Sequence, residues 1–189
     1  DRLKGIYRKT WVTNQHLLFR GGEAVAAMRA EGIDSLVLKG LAVGLLFYGD
    51  LGVRPLRTVD LLVSADAAVV TWRLLEGLGY RARAVPARVA GSWRRDRDDD
   101  WFLRLRHARS FDRGTLDVID VHTTLSPDLV AADPVVADVS GLWDDAADVD
   151  LGPVTAATLS PTHHLFHSLL GPGTGGDGSL ERVADALVI

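Results

Sequence analysis

The hydrophobic and polar positions of this 189-residue chain change period several times, and the sharpest changes fall between residues 36 and 63. Leu36, Val37 and Leu38 form a short apolar run with a β-branched centre, which predicts a strand over 35–39 that stops at Gly40. Leu41, Leu45, Leu46 and Tyr48 follow at helical spacing, and a second apolar run over 58–63 predicts another strand. A helix is predicted over 65–78, closed by Gly79, with Val69, Val70, Leu74, Leu75 and Leu78 facing inward, and then a strand over 80–85. Alternation over 101–111 and the run 115–125, joined at Asp112-Arg113-Gly114, predict an antiparallel hairpin. On its second strand Leu116, Val118 and Asp120 share one face, and Asp117, Ile119 and Val121 the other.

Ahead of this unit a helix is predicted over 10–30, with Trp11, Leu17, Leu18, Val25, Ala26 and Met28 buried and a kink at Gly21-Gly22. Residues 90–100 mix charges without period and predict an exposed loop, while the acidic stretch to Asp150 predicts short helices and loops around Leu142-Trp143. Ser160-Pro161 has the form of a helix start, and that helix carries His163, His164, Leu165, His167 and Leu169. The glycine-rich loop 171–178 lacks the Gly-Lys-Ser/Thr ending of a phosphate loop, and a last helix is predicted over 179–189. The alternation of strands and helices defines an α/β (α+β) class, a sheet with helices packed on it. Three stretches are expected: an N-terminal helical segment (1–31), a core (32–127) and a mostly helical C-terminal part (128–189).

Asp60 changes this picture, because it stands alone among apolar residues in a strand that reads as buried on both faces. An ionised carboxylate left unpaired in low dielectric costs several kcal/mol or more, so Asp60 must be ion-paired, hydrogen-bonded or metal-bound. Composition adds limits. With 47% hydrophobic and 24% charged residues the chain is globular, and charges interrupt its apolar runs well before the ~20 residues a membrane span needs. No cysteine is present, which excludes disulfides, thiolate zinc sites and a cysteine nucleophile, and fits a cytoplasmic location. A formal net charge of -4 argues against a general grip on nucleic acid. Among many arginines the lysines are only Lys4, Lys9 and Lys39, and the last stands beside the glycine turn.

Lys39-Gly40, Tyr48, Gly52, Arg54-Pro55 and Val59-Asp60-Leu61-Leu62-Val63 resemble the pattern of the bacterial uncharacterised nucleotidyltransferase family, within the DNA polymerase β-like nucleotidyltransferase superfamily. Val118-Ile119-Asp120-Val121-His122 is similar to that family's third-carboxylate strand. One position departs: the family's first aspartate is Thr58 here. The resemblance implies a nucleotidyltransferase-like mixed sheet flanked by helices. It also implies Mg²⁺ or Mn²⁺ as cofactor, a nucleoside triphosphate as substrate, and transfer of a nucleoside monophosphate to a hydroxyl acceptor the sequence does not name: a small molecule, peptide, protein or RNA end. Asp60 and Asp120 are then the expected catalytic and metal-binding acids, with Thr58 in place of the missing one, and Lys39, Gly40 and Arg54 the expected phosphate-binding residues.

Plainer readings stand beside these. Asp60 could pair with Arg54 or Arg57, Asp120 could cap a strand end, Gly40 could serve only the turn, and His122 could be a packed or hydrogen-bonded histidine. His163 and His167 have the i, i+4 spacing of a zinc pair but lack a glutamate between them, and the structural reading is preferred. Because Thr58 is a poor ligand, the alternative function is a nucleotidyltransferase fold that has lost its chemistry and serves as a nucleotide-binding or regulatory module.

Overall fold

The computed structural model describes residues 2–84, 99, 102–103, 106–115, 117–126, 139–170 and 178–189. Seven strands form one mixed sheet in the order β3-β4-β5-β2-β1-β7-β6. They are β1 (Leu36–Leu38), β2 (Val59–Leu62), β3 (Arg81–Ala82), β4 (Ala108–Arg113), β5 (Asp117–His122), β6 (Ala147–Asp150) and β7 (Thr155–Thr158). β1 runs antiparallel to β2 and parallel to β7, and β2 runs parallel to β5. Helices α1 (Arg2–Ala30), α2 (Lys39–Val43), α3 (Ala65–Gly77), α4 (Pro161–Leu170) and α5 (Gly178–Val188) complete the fold, and α2 continues as a π-helical stretch, Gly44–Tyr48. None of the described helices is long and apolar enough to cross a membrane.

Strand alternation separates the two sheet faces. Val37, Val59, Leu61, Ile119 and Val121 point to one side and join Leu17, Val25 and Met28 of α1 and Trp72 and Leu75 of α3 in the main core. Leu36, Leu38 and Leu62 point to the other side and form a smaller cluster with Leu125 and Leu159. Asp60 lies opposite Leu38 and Asp120 in the ladder, so these carboxylates project on the face turned away from α1 and α3. Fully buried apolar residues at all three positions of β1 are what a central strand covered on both faces requires.

Several element expectations need correction. Helix α1 starts at Arg2 and passes through Gly21-Gly22 as one helix. The two glycines serve close packing there, since a Cβ would stand 3.2 Å from a Val59 methyl at position 21 and 3.0 Å from Pro153 at position 22. Trp11 and Ala26 are exposed rather than buried. In α3 the inward positions are Ala68, Thr71, Trp72 and Leu75, whereas Val70 and Leu78 face solvent. Ser64 accepts from the Ala67 amide as its N-cap, and Gly79, at φ +89, ends it. The expected strand over 101–111 begins only at Ala108: Phe102 and Leu103 are helical, and the Arg106 amide donates back to the Phe102 carbonyl. The acidic stretch holds the expected short helical turn at Ser140–Trp143 and also β6, which pairs with β7, and neither strand is among those expected. The expected loop 90–100 lies outside the described residues except for Asp99, as does most of 171–178.

Candidate functional site

Lys39 follows β1 and opens α2 with φ +52, a left-handed conformation that costs a residue bearing a side chain about 1–2 kcal/mol. With the backbone turned this way, its ammonium lies 2.6 Å from Asp60 Oδ1. Thr58, two residues earlier on the same strand face, donates its hydroxyl to Asp60 Oδ2 at 2.8 Å. From β5, His122 places Nε2 2.8 Å from Asp60 Oδ1. Asp60 is only 3% exposed. Burial pushes its carboxyl upward, but the His122 hydrogen bond and the Lys39 charge outweigh this and hold it well below the usual carboxylate range.

Asp120 stands directly across from Asp60 in the parallel β2–β5 pair, and His122 is two residues further along the same face. Each of Asp60, Asp120 and His122 offers a ligand atom, and these atoms all lie within 4.8 Å of one another. Asp120 Oδ1 and His122 Nδ1 are buried with no hydrogen-bond partner. A buried carboxylate oxygen without a donor is costly, and a cation is one group that satisfies it. Two carboxylates and an imidazole fit a divalent ion, with oxygen ligands suited to Mg²⁺ or Mn²⁺ and the imidazole favouring the transition metal. The His107 ring lies 5.6 Å from that of His122, and burial, together with the nearby cationic groups, pushes its pKa down to about 4.

The other expected residues cluster separately. Arg54 gives two parallel hydrogen bonds to Asp185 of α5, Nε to Oδ1 at 2.7 Å and Nη2 to Oδ2 at 2.6 Å, and the Tyr48 hydroxyl donates to the same carboxylate at 3.1 Å. Gly40 lies under Arg54: a Cβ there would collide with the guanidinium and stand 2.9 Å from Leu56 Cδ2. The loop 51–56 is held from below by the buried Asn14, whose amide donates to the carbonyls of Leu51 (2.6 Å) and Arg54 (2.7 Å) while its oxygen accepts from the Leu56 amide (3.0 Å). His163 and His167 take different partners, Asp145 at 3.2 Å and the Leu125 carbonyl at 3.0 Å, as structural histidines do.

His122 is the hydrogen-bonded histidine that the sequence suggests; its partner is Asp60, and its parity with Asp120 puts it on the same strand face. Asn14 and Asp185 carried no signal of their own, being polar residues among others in helices far along the chain from the residues they hold.

A mixed sheet with acids on neighbouring central strands and a helix entering from the adjacent turn defines the nucleotidyltransferase class of fold. The chain belongs to the family described as "Uncharacterised nucleotidyltransferase", whose sequence profile matches residues 1–171. No curated protein matches. Among solved structures the fold is similar to the lincosamide antibiotic adenylyltransferase LnuA with lincomycin bound, at TM-score 0.53 and 12% identity, covering 86% of this chain and 91% of that one. It is also similar to the antibiotic-resistance factor ANT(2'')-Ia in solution, at TM-score 0.56 and 12% identity over 93% of this chain and 83% of that one. A crystal structure of ANT(2'')-Ia in complex with adenylyl-2''-tobramycin matches at TM-score 0.53 and 15% identity over 86% and 83%.

Proposed function

We propose that this protein transfers a nucleoside monophosphate from a nucleoside triphosphate to a hydroxyl group of a small molecule, with Asp60 and Asp120 as its central acids. The observation that carries the reading is the register of those acids on adjacent parallel strands, with His122 completing a set of ligand atoms within 4.8 Å. Asp60, Asp120 and His122 would hold a divalent cation, Mg²⁺ or Mn²⁺, which supplies Lewis-acid stabilisation of charge on the phosphate oxygens. The acceptor oxygen forms a bond to the α-phosphorus, the bond to the bridging oxygen of the β-phosphate breaks, and pyrophosphate leaves. Asp120, on the strand next to Asp60, would take the hydroxyl proton through the oxygen that the ion leaves free. Lys39 brings positive charge to the same place. Gly40 leaves room for the Arg54 side chain, and Arg54, bound to Asp185, lends its charge from one side.

The small-molecule acceptor is supported by fold likeness to enzymes that adenylylate antibiotics. Incubation with α-labelled triphosphates, Mg²⁺ or Mn²⁺ and a panel of hydroxylated small molecules, antibiotics first, tests this. Label should pass to an acceptor, and Asp60→Asn should abolish the transfer while leaving the fold intact by circular dichroism. A second reading is favoured by Thr58, which puts a neutral hydroxyl where the resemblance expects an acid: a module that binds the triphosphate without turning it over. Saturable triphosphate binding with no labelled product, under either metal and across the panel, would select it.

A further inference from the structure

The position of Lys39 raises a question that the proposed transfer reaction leaves open. Its ammonium lies 2.6 Å from Asp60 Oδ1 and 3.3 Å from His122 Nε2, which are two of the three groups that could ligate a cation. We infer that Lys39 is the site's resident cation: in the nucleotide-free protein it occupies the divalent-ion position beside Asp60 and His122, and it vacates that position for the phosphates of an incoming triphosphate. Only its departure toward phosphates rests on the transferase reading.

Four observations carry it. First, an ammonium and a divalent ion compete for Asp60 Oδ1, because two cations that close repel strongly beside a carboxylate only 3% exposed. Second, the ammonium satisfies this site incompletely. It contacts Asp60 and His122, and Asp120 Oδ1 stays buried without a partner. Third, the polar atoms around it are in conflict. If Nε2 of His122 carries the proton it donates to Asp60 and cannot accept from Lys39, and if it does not, its lone pair faces the carboxylate. A divalent ion would take the lone pair and both carboxylates together. Fourth, the lysine can leave. Its side chain is 40% exposed against 5% for that of Asp60, and its left-handed backbone stores strain that a shift at the β1–α2 junction would release. Thr58 fits the same account. A second acid at that position would hold both the ammonium and a divalent ion, whereas with a neutral hydroxyl the two compete for Asp60.

By linkage, if Lys39 must leave Asp60 before the ion binds, a ligand that gives the ammonium another anion to pair with strengthens ion binding. The test uses Mn²⁺ alone, titrated by calorimetry and followed by its electron paramagnetic resonance, on the full chain and on Lys39→Met and Lys39→Arg. Lys39→Met should bind one Mn²⁺ at least tenfold more tightly than the natural protein, and Lys39→Arg, which keeps the charge, should not. In chelator, Lys39→Met should melt at a lower temperature, with Mn²⁺ restoring it, because Asp60 has lost its counter-charge. Adding Asp60→Asn to Lys39→Met should remove the gain. If Lys39→Met folds and binds Mn²⁺ no better than the natural protein, or if Lys39→Arg gains equally, the inference is overturned. The transferase reading fails differently. If Lys39→Met gains Mn²⁺ affinity but no form binds a metal-free triphosphate, the resident cation stands and the nucleotide role falls. If the natural protein transfers label while Lys39→Met shows no Mn²⁺ gain, the reverse holds.

Discussion

At the scale of single residues the site is decided by charge count. Asp60 is kept ionised by the Lys39 ammonium and the Thr58 hydroxyl, with His122 Nε2 at 2.8 Å from the oxygen that the ammonium also contacts. Replacing Thr58 by aspartate removes one of those donors and puts a second negative charge on the same strand face. In the absence of metal the like charges repel, and stability should fall by about 1–2 kcal/mol, the cost of a buried acceptor losing its donor beside a new charge. In the presence of a divalent ion the added carboxylate is a hard oxygen ligand, so Mn²⁺ affinity should rise about tenfold, which is about 1.4 kcal/mol. Calorimetric titration of the natural protein and Thr58→Asp, with melting curves in chelator, measures the two effects. Unchanged affinity in Thr58→Asp would mean that position 58 does not face the ion, and the placement of the cation between β2 and β5 would have to be given up.

At the scale of elements, the loop between α2 and β2 gains its shape from a helix far away in sequence. Asn14 is fully buried in α1 and makes three hydrogen bonds to the backbone of residues 51–56, the segment that leads Arg54 to Asp185 and the chain into β2. Asn14→Ala leaves two carbonyls and one amide without partners, and should cost about 3 kcal/mol by urea unfolding. A loss below about 1 kcal/mol would show that water replaces the side chain. Nothing in the local sequence announces this, because one asparagine in a helix is compatible with any environment. What was legible was the β1–α2–β2 unit and β5, where apolar runs are dense and the fold class follows from them. Sidedness was less so: Ala68, Thr71 and Trp72 of α3 meet the core, while the apolar Val70 and Leu78 face out, because the helix packs by position and not by hydrophobicity. β6 escaped notice because it is an edge strand with Val149 as its one buried residue between aspartates. Of the candidate site, the acids were visible as charges in apolar strands. His122 was legible as a packed or hydrogen-bonded histidine but not as the partner of Asp60, since only the β2–β5 register brings it there.

For the whole molecule, two buried histidines and one half-buried one make stability depend on pH in a window set by their own values. Burial pushes His107, His164 and His167 each down to about 4 from 6.5, with nearby cationic groups adding to the shift at His107 and His167. Two of them anchor α4: His164 Nε2 lies 2.9 Å from the Thr158 hydroxyl of β7, which itself donates to the Val37 carbonyl, and His167 reaches the carbonyl of Leu125, just beyond β5. Each is neutral in the folded protein and charged in the unfolded chain once the pH is below 6.5, so acid favours unfolding. The contribution is fully present above the unfolded value and is lost as pH falls to the folded one. Asp60, whose folded pKa is lowered, adds a separate loss that begins only near its ordinary value of 3.8. Unfolding free energy should therefore be flat from about pH 8 to 7 and then fall between about 6.5 and 4. The slope should approach about 4 kcal/mol per pH unit if all three take up a proton together, and total loss should reach about 3 kcal/mol per histidine. His164→Gln keeps a donor for Thr158 but cannot titrate, so it should lower that slope by about a third and leave its shape. Urea unfolding at half-unit pH steps measures this. A curve that stays flat down to about pH 4.5 would mean that these rings remain open to water, and that α4 is held by its apolar contacts alone.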